Sequence, residues 1–201
     1  MTAHRTGLRE RKKEIIRNRI NAETIELIRL HGVVDTSIEL ICKASDISKK
    51  TFYNYYRSRH ELIIAICQER LLARVMQMVD YAVSQHDRLD DRLTFFFNVF
   101  KQHYRLRDKL ERELIRFMIH NFSGNRTEGA EQLGHMIECY THLYTITGDE
   151  LRPELSARFC AEITVGTINT LTLNWLTRDD YDIDSGLDQL QHWITDNMLK
   201  R

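Results

Sequence analysis

Residues 49–60 interleave two kinds of side chain that can act together. The basic side chains are Lys49, Lys50, Arg57 and Arg59, and the aromatic ones are Phe52, Tyr53, Tyr55 and Tyr56. Lysine and arginine neutralise phosphate groups, and a tyrosine hydroxyl can hydrogen-bond to the same oxygens. Large rings, in contrast, gain most free energy when they are buried. We therefore expect a short element with one side in the protein core and the other side against an anion.

The distribution of charge along the chain favours an anionic partner for this segment. The 201 residues carry 29 basic and 29 acidic side chains, so the formal net charge is zero. Residues 1–60 hold 13 Lys or Arg and 7 Asp or Glu, a balance of +6, and the remaining 16 basic and 22 acidic residues give −6. A basic N-terminal segment on an otherwise acidic protein is typical of a segment that binds a polyanion. A basic face that only meets water is the alternative.

Local signals predict two helices before this segment. Apolar residues recur at helical spacing over residues 8–31, and Gly32 is expected to end that helix because glycine readily turns left-handed. The spacing Thr36-x-x-Glu39 matches a capping box, in which the threonine oxygen accepts a free backbone N–H. It predicts a second helix that begins at Thr36 and ends near Ala44.

The basic and aromatic segment itself predicts a third helix and the start of a fourth. Ser48 can cap a helix of about eight residues, and Ser58 opens a second capping box before a helix over residues 59–84. Phe52 and Tyr56, four residues apart, share one helical side and are expected to pack against the first and fourth helices. The second and third helices with their tight turn form a helix-turn-helix, whose second helix enters the major groove of DNA.

The remaining sequence predicts amphipathic helices and no strand. One proline and eight glycines among 201 residues favour an all-α fold. Five further helices, predicted over residues 88–104, 107–121, 131–145, 153–176 and 187–199, bring the number to about nine. Polar breaks are predicted at residues 121–129 and 147–153. No window holds about 18 uninterrupted apolar residues, so no membrane span is expected.

No catalytic motif is found, since the sequence contains no GxSxG, P-loop, HExxH or dinucleotide fingerprint. An enzyme would have to rely on scattered histidines and cysteines, so no catalytic residue is predicted. Four metal-ligand types do share one helical face, at spacings i, i+3, i+4 and i+7: His135, Glu138, Cys139 and His142. They are a weak candidate because structural metal sites usually recruit ligands from several elements, and no cofactor is predicted. The four cysteines lack CxxC spacing, which favours reduced thiols in the cytoplasm.

The stretch "GVVDTSIELICKASDISKKTFYNYYRSRHEL", residues 32–62, resembles the DNA-binding domain of the TetR/AcrR family of transcriptional regulators. The matching positions are Gly32, Thr36, Ile41, Ala44, Ile47, Ser48, Lys49, Thr51, Tyr53, Tyr56, Ser58 and Leu62. Asp46 stands where glycine is usual, and Lys50 replaces a common glycine. The resemblance implies a DNA-binding domain over residues 1–60 and an effector-binding and dimerisation domain over residues 61–201.

The resemblance also implies a function. It predicts a ligand-responsive transcriptional repressor that binds a double-stranded DNA operator as a homodimer and is released by a small-molecule effector. Thr36 would help to cap the second helix near a phosphate, and Arg59 would bind phosphate at the start of the fourth. The residues predicted to contact DNA are Thr36, Ser48, Lys49, Lys50, Thr51, Tyr53, Asn54, Tyr55 and Arg59.

Two further sets are predicted in the body. An apolar effector pocket would be lined by Phe96, Phe100, Phe117, Met118, Phe122, Tyr140, Tyr144 and Trp175. The dimer interface would use Phe159, Ile163, Gly166, Thr170, Leu187, Leu190 and Ile194. The alternative for the rings is packing in the core, and the alternative for the chain is a helical ligand-binding or protein-interaction module without specific DNA binding.

Overall fold

The computed structural model describes residues 3–124, 126–145 and 150–200, and the side chains of residues 3–6, 8, 9 and 121–132 lie outside this description. The described helices, in chain order, are α1 Ala3–Asp35, α2 Ile38–Ala44, α3 Lys49–Tyr53, α4 Arg59–Cys67, α5 Ala73–Gln85, α6 Leu89–Leu106, α7 Lys109–Gly124, α8 Arg126–Thr145, α9 Ala157–Thr177 and α10 Ile183–Met198. A π-helical turn, Gln68–Leu72, joins α4 to α5, so the described chain has nine helices if residues 59–85 count as one. The all-α prediction is confirmed.

Extended pairing is minimal in the part of the chain that the structure describes. It consists of one isolated antiparallel bridge between Leu151 and Leu199. Hydrogen bonds from Arg152 N to the Met198 carbonyl (2.9 Å) and from Lys200 N to the Glu150 carbonyl (2.8 Å) flank this bridge. Among the described residues, none of the helices is both long and apolar enough to span a bilayer.

The chain forms two compact units, one of Met1–Glu69 with Lys109–Ile115 and one of Arg70–Asp108 with Arg116–Arg201. In the first unit, α1 packs against α2 and α4, and α2 packs against α3. Side chains with no exposed surface form its core: Ile20, Ile28, Ile41, Phe52, Leu62 and Ile63. The short helices α2 and α3 therefore depend on α1 and α4 for their burial, because helices of seven and five residues are not stable alone.

Gly32 interrupts α1 close to its C-terminal end. Its φ of 82° and ψ of 169° lie in a region that is essentially restricted to glycine. A Cβ atom at this position would lie 3.4 Å from Oε2 of Glu113. The prediction that Gly32 ends the regular helix through a positive φ is confirmed.

The second unit has a continuous hydrophobic core built by α5, α6, α8, α9 and α10. In this unit α8 packs against α9, and α10 packs against both α6 and α9. Two ion pairs, Lys101–Asp188 and Arg105–Asp184, join α6 to α10 at 2.5 and 2.6 Å. A buried hydrogen bond of 2.8 Å between the hydroxyls of Tyr144 and Thr164 joins α8 to α9.

Several predicted helix boundaries are wrong. Helix α7 continues to Gly124 and α8 begins at Arg126, so most of the loop predicted at residues 121–129 is helical. Polar residues and glycine disfavour a helix only weakly, and tertiary context often overrides them. Helix α9 begins after its N-cap Ser156 rather than at residue 153.

The apolar stripe predicted for α10 at the dimer interface lies inside the subunit instead. Leu187 and Ile194 have no exposed surface, and Leu190 is 6% exposed. These side chains belong to the core of the second unit, since α10 packs against α6 and α9. An apolar stripe shows that a face is buried and does not identify the surface that buries it. On the same helix Trp193 is 48% exposed.

Candidate nucleic-acid interface

Helix α3 is capped at its start and is packed against the core on its inner side. The Ser48 side chain accepts a hydrogen bond from Thr51 N at 3.1 Å, as predicted. The helix proper has five residues rather than eight, because the chain turns at Asn54. Phe52 is fully buried and Tyr56 is 2% exposed, and their ring centroids lie 6.0 Å apart. The predicted inward side of the segment is confirmed.

Tyr56 ties the end of this segment to α1. Its hydroxyl donates to Oδ1 of Asn21 at 2.6 Å and accepts from Nε of Arg17 at 3.2 Å. The hydrogen bond to Tyr56 raises the pKa of the Arg17 guanidinium above its ordinary value, so this side chain stays charged. The ring, the amide and the guanidinium together fix α3 against α1.

The opposite side of α3 is open to solvent. Lys49, Lys50, Tyr53 and Asn54 are exposed, whereas Thr51 and Tyr55 are half-buried. Tyr53 is 52% exposed, although its ring meets that of Phe52 edge-on with centroids 5.5 Å apart. Two cations, a phenol and a carboxamide are thus presented together, a set that can bind phosphates and base edges.

Lys49 has a carboxylate partner on α2. Its Nζ lies 2.5 Å from Oε1 of Glu39, and both side chains are more than half exposed. The hydrogen bond to Lys49 lowers the pKa of Glu39, and the same contact raises the pKa of Lys49. Both groups are therefore ionised at neutral pH, and an incoming phosphate would compete with Glu39 for the lysine. The sequence analysis missed this contact because ten positions separate the residues.

The turn between α2 and α3 contains Asp46, which has a φ of 50°. Asp46 is the single non-glycine residue with positive φ in the described chain. Aspartate tolerates this region better than most residues because its short polar side chain can bond locally. The tight turn is thus retained without the usual glycine.

The predicted capping role of Thr36 is wrong. Ser37 caps α2, since its Oγ accepts from Leu40 N at 3.2 Å. Thr36 is fully buried, and its hydroxyl donates to the carbonyl oxygen of Gly32 at 2.8 Å. Both residues are good N-caps, and the sequence alone does not say which of two neighbours takes that position.

Arg59, predicted to bind phosphate, is engaged within the protein. Its Nη1 donates to the carbonyl oxygens of Val33 at 2.5 Å and Thr36 at 2.9 Å. Both carbonyls follow the interruption of α1 at Gly32. Arg59 therefore joins the start of α4 to the end of α1 and the link to α2.

Comparison with known proteins agrees with this geometry. Residues 20–66 match the family described as bacterial regulatory proteins, tetR family. The N-terminal segment of this chain is therefore similar to the tetR family. The matched residues contain α2, α3, their turn and the start of α4, which are the elements described above. No curated protein matches the sequence at a significant level.

Solved structures share the fold over most of this chain at low identity. Thermus thermophilus FadR, a TetR-family transcriptional repressor in complex with lauroyl-CoA, is 20% identical with a TM-score of 0.73, and 92% of this chain and 96% of that chain are covered. SmeT, the repressor of the Stenotrophomonas maltophilia multidrug efflux pump SmeDEF, is 16% identical with a TM-score of 0.70 over 92% and 90% of the two chains. A TetR transcriptional regulator from Chloroflexus aurantiacus is 18% identical with a TM-score of 0.64 over 95% and 100%.

In the second unit, three of the rings predicted to line a pocket contact one another. Phe96 and Phe100 are stacked with centroids 5.4 Å apart, and Tyr140 meets Phe96 edge-on at 5.2 Å. Tyr104 in turn meets Trp175 at 5.1 Å. Tyr144 and Met118 are buried and Phe117 is half-buried, while the side chain of Phe122 lies outside the described residues.

One polar atom in this aromatic cluster stands out. The Tyr140 hydroxyl is buried and has no hydrogen-bond partner among the described residues. Burial raises the pKa of this phenol well above its ordinary value, so the hydroxyl keeps its proton and remains a donor. A buried donor without a partner costs about 1–3 kcal/mol, which makes this atom a candidate contact for a bound acceptor.

The candidate metal ligands on α8 do not come together. His135 lies 3.7 Å from Glu138 on the exposed side, and His142 lies 3.8 Å from Asp80 of α5. Cys139 is buried, and burial raises its pKa to about 12. Among the described residues no three His, Cys, Asp or Glu side chains are arranged to hold a metal ion. All four cysteines are free and buried.

Proposed function

We propose that this chain is a TetR-family transcriptional repressor that binds its operator as a homodimer and is released by a small-molecule effector. The observation that carries the proposal is the two-sided α3. Phe52 and Tyr56 are buried on its inner side, while Lys49, Lys50 and Tyr53 are exposed on its outer side. The second helix of a helix-turn-helix uses such a surface in the major groove, and the first lies across the backbone.

Exposed apolar residues on α9 and α10 support the homodimer. Phe159 is 49% exposed, Leu173 is 45% exposed and Trp193 is 48% exposed. Ile163 and Trp193 also line an open groove of about 840 Å³ between the two helices. A second copy of the chain would remove this surface from water, and a symmetric pairing of two helices from each subunit would form a four-helix bundle.

Gly166 and Thr170 lie on the same side of α9 as Phe159 and are exposed. A Cβ atom added at Gly166 would meet nothing within 4 Å in the subunit. The missing side chain therefore leaves room for a partner helix to approach. Of the predicted interface residues, we retain Phe159, Ile163, Gly166 and Thr170 and replace the buried α10 stripe by Trp193.

An effector site in the second unit is supported by its aromatic cluster and the Tyr140 hydroxyl. The set combines apolar surface with one donor, which suits an apolar molecule that carries an acceptor group. The protein can adopt one conformation that fits the operator and one that does not. The effector releases it from DNA only if it binds the second conformation more tightly than the first. Lauroyl-CoA, bound by Thermus thermophilus FadR, is the first effector to test. A repressor of this kind acts in the cytoplasm, where its operator lies.

Selection of duplexes from a random pool with the full-length protein tests the proposal. We expect one enriched, two-fold symmetric sequence, because a homodimer reads two related half-sites. Addition of lauroyl-CoA or a cell extract should then lower the affinity for that duplex. A pool that remains random after repeated rounds would favour the alternative, a helical ligand-binding or protein-interaction module without specific DNA binding.

A further inference from the structure

A cleft of about 750 Å³ lies between the N-terminal part of α1 and helix α3. Its lining residues come from both elements and are Glu10, Lys12, Lys13, Ile16, Thr51, Asn54 and Tyr55. Thr51, Asn54 and Tyr55 belong to the surface already proposed to meet DNA. The cleft therefore continues that surface onto α1, where the sequence analysis predicted no contact.

The α1 side of the cleft is basic. Lys12 and Lys13 are both exposed. Residues 1–20 carry 7 of the 13 basic residues found in residues 1–60, against 2 acidic ones. Such a concentration of positive charge on one end of a helix attracts a polyanion.

The cleft also has an apolar part and a fixed geometry. Ile16 of α1 and Tyr55, which follows α3, also line the cleft and are half-buried. One residue beyond Ile16, the Arg17 side chain is held by the Tyr56 hydroxyl. This bond ties the two walls together, so Lys12 and Lys13 keep their place relative to α3.

We propose that this cleft binds the sugar–phosphate backbone of the operator strand that borders the groove entered by α3. Lys12 and Lys13 neutralise phosphates, the Asn54 amide hydrogen-bonds to a phosphate oxygen, and a deoxyribose packs on Ile16 and Tyr55. The proposal rests on the proposed DNA-binding function and extends its contact surface to α1. Because these contacts go to the backbone, they add affinity and fix register without reading sequence.

Glu10 is the one acidic side chain of the cleft, and it faces the same space. A carboxylate beside a phosphate is repulsive, so Glu10 limits how tightly the cleft holds any duplex. The variant Glu10→Gln is expected to bind DNA at least as tightly as the wild-type protein, which is the opposite of the effect expected for the lysines.

The experiment measures the dissociation constant against salt concentration for full-length wild type and the double variant Lys12→Gln/Lys13→Gln. The probes are a duplex selected by the wild-type protein and a random duplex of equal length. In a dimer the double variant removes four positive charges, so the magnitude of the log–log slope should fall by about 3–4 on both duplexes. The variant Arg29→Gln is the control, since Arg29 is an exposed basic residue of the same helix that pairs with Glu26 at 2.8 Å. Its slope should stay at the wild-type value.

The outcomes separate this inference from the function on which it rests. If the wild-type protein selects no duplex, the proposed function fails. If it binds a selected duplex and the double variant keeps the wild-type slope, with an unchanged thermal unfolding midpoint, the cleft does not hold DNA. A slope that falls equally in Arg29→Gln would also overturn the proposal, because the effect would then reflect net charge alone.

Discussion

The Arg59 guanidinium donates a hydrogen bond to the carbonyl oxygen of Val33, with a nitrogen–oxygen distance of 2.5 Å. A second bond, to the carbonyl oxygen of Thr36, extends the contact across the link between α1 and α2. Val33 is 4% exposed and Thr36 is fully buried, so water cannot easily replace the guanidinium at these carbonyls. This arginine therefore stabilises the first unit through hydrogen bonds between its own elements.

We expect Arg59→Ala to lower the free energy of unfolding by about 1.5–3 kcal/mol, the usual contribution of hydrogen bonds from a charged donor. Urea unfolding of the full chain measures the change. Arg57→Ala is the matched control, since Arg57 is an exposed neighbour, and it should stay within about 0.5 kcal/mol of wild type. Equal stability of the two variants would show that Arg59 does not hold the link.

Gly32→Ala should also destabilise the protein, for a conformational reason. The backbone at Gly32 has φ 82° and ψ 169°, where a Cβ atom is strained by about 1–3 kcal/mol. Gly134→Ala is the control, because Gly134 lies within α8 and an added Cβ would meet nothing within 4 Å. That variant should gain about 0.5–1 kcal/mol from helix propensity. Thermal and urea unfolding measure both, and a stabilised Gly32→Ala protein would contradict this account.

The Gly166 surface allows a test of the dimer. Gly166→Leu should fold normally, since Gly166 is exposed and an added Cβ atom meets nothing within 4 Å in its own subunit, but it should weaken dimerisation. The substitution occurs twice in a symmetric interface, so the expected cost is about 2–6 kcal/mol of dimerisation free energy. Sedimentation equilibrium measures it, with Gly134→Leu as the control of equal size. If Gly166→Leu dimerises as tightly as the control, α9 is not part of the dimer interface.

Burial of Cys67 predicts a pH dependence of stability. Burial raises the pKa of this thiol to about 12, above that of the unfolded chain. The folded state then binds the proton more tightly, so the thiol contributes its full stability below pH 9 and loses it as pH rises towards 12. Between pH 9 and 11 the wild-type protein should lose stability relative to Cys67→Ala by up to about 1.4 kcal/mol per pH unit. Parallel curves for the two proteins from urea unfolding would exclude this contribution.

Local chemistry accounts for most of what the sequence predicted correctly. Gly32, Ser48 and Ser58 act through their own backbone or the next turn, so their roles can be inferred from neighbours in sequence. The inward side of the third helix follows from Phe52 and Tyr56 for the same reason.

Other errors arise where partners are distant along the chain. Glu39 pairs with Lys49, and Arg59 reaches back to Val33, across ten and 26 positions. The π-helical turn at Gln68–Leu72 follows no local sequence pattern that we can identify. The α10 stripe was correctly predicted to be buried, but the residues that bury it belong to the same subunit. Periodicity identifies buried faces, and only the assembled fold shows what covers them.

The central claim is that the outer side of α3 binds DNA through its lysines. Fluorescence anisotropy on a duplex selected by the wild-type protein, titrated from low to high salt, tests it most directly. If a dimer makes about six to eight phosphate contacts, the wild-type log–log slope should be about −5 to −7, and Lys49→Ala/Lys50→Ala should reduce its magnitude by about 3–4. The control Arg88→Ala/Lys200→Ala removes two exposed charges from the second unit and should bind as wild type does. Unchanged affinity and slope in the Lys49→Ala/Lys50→Ala protein would contradict the account.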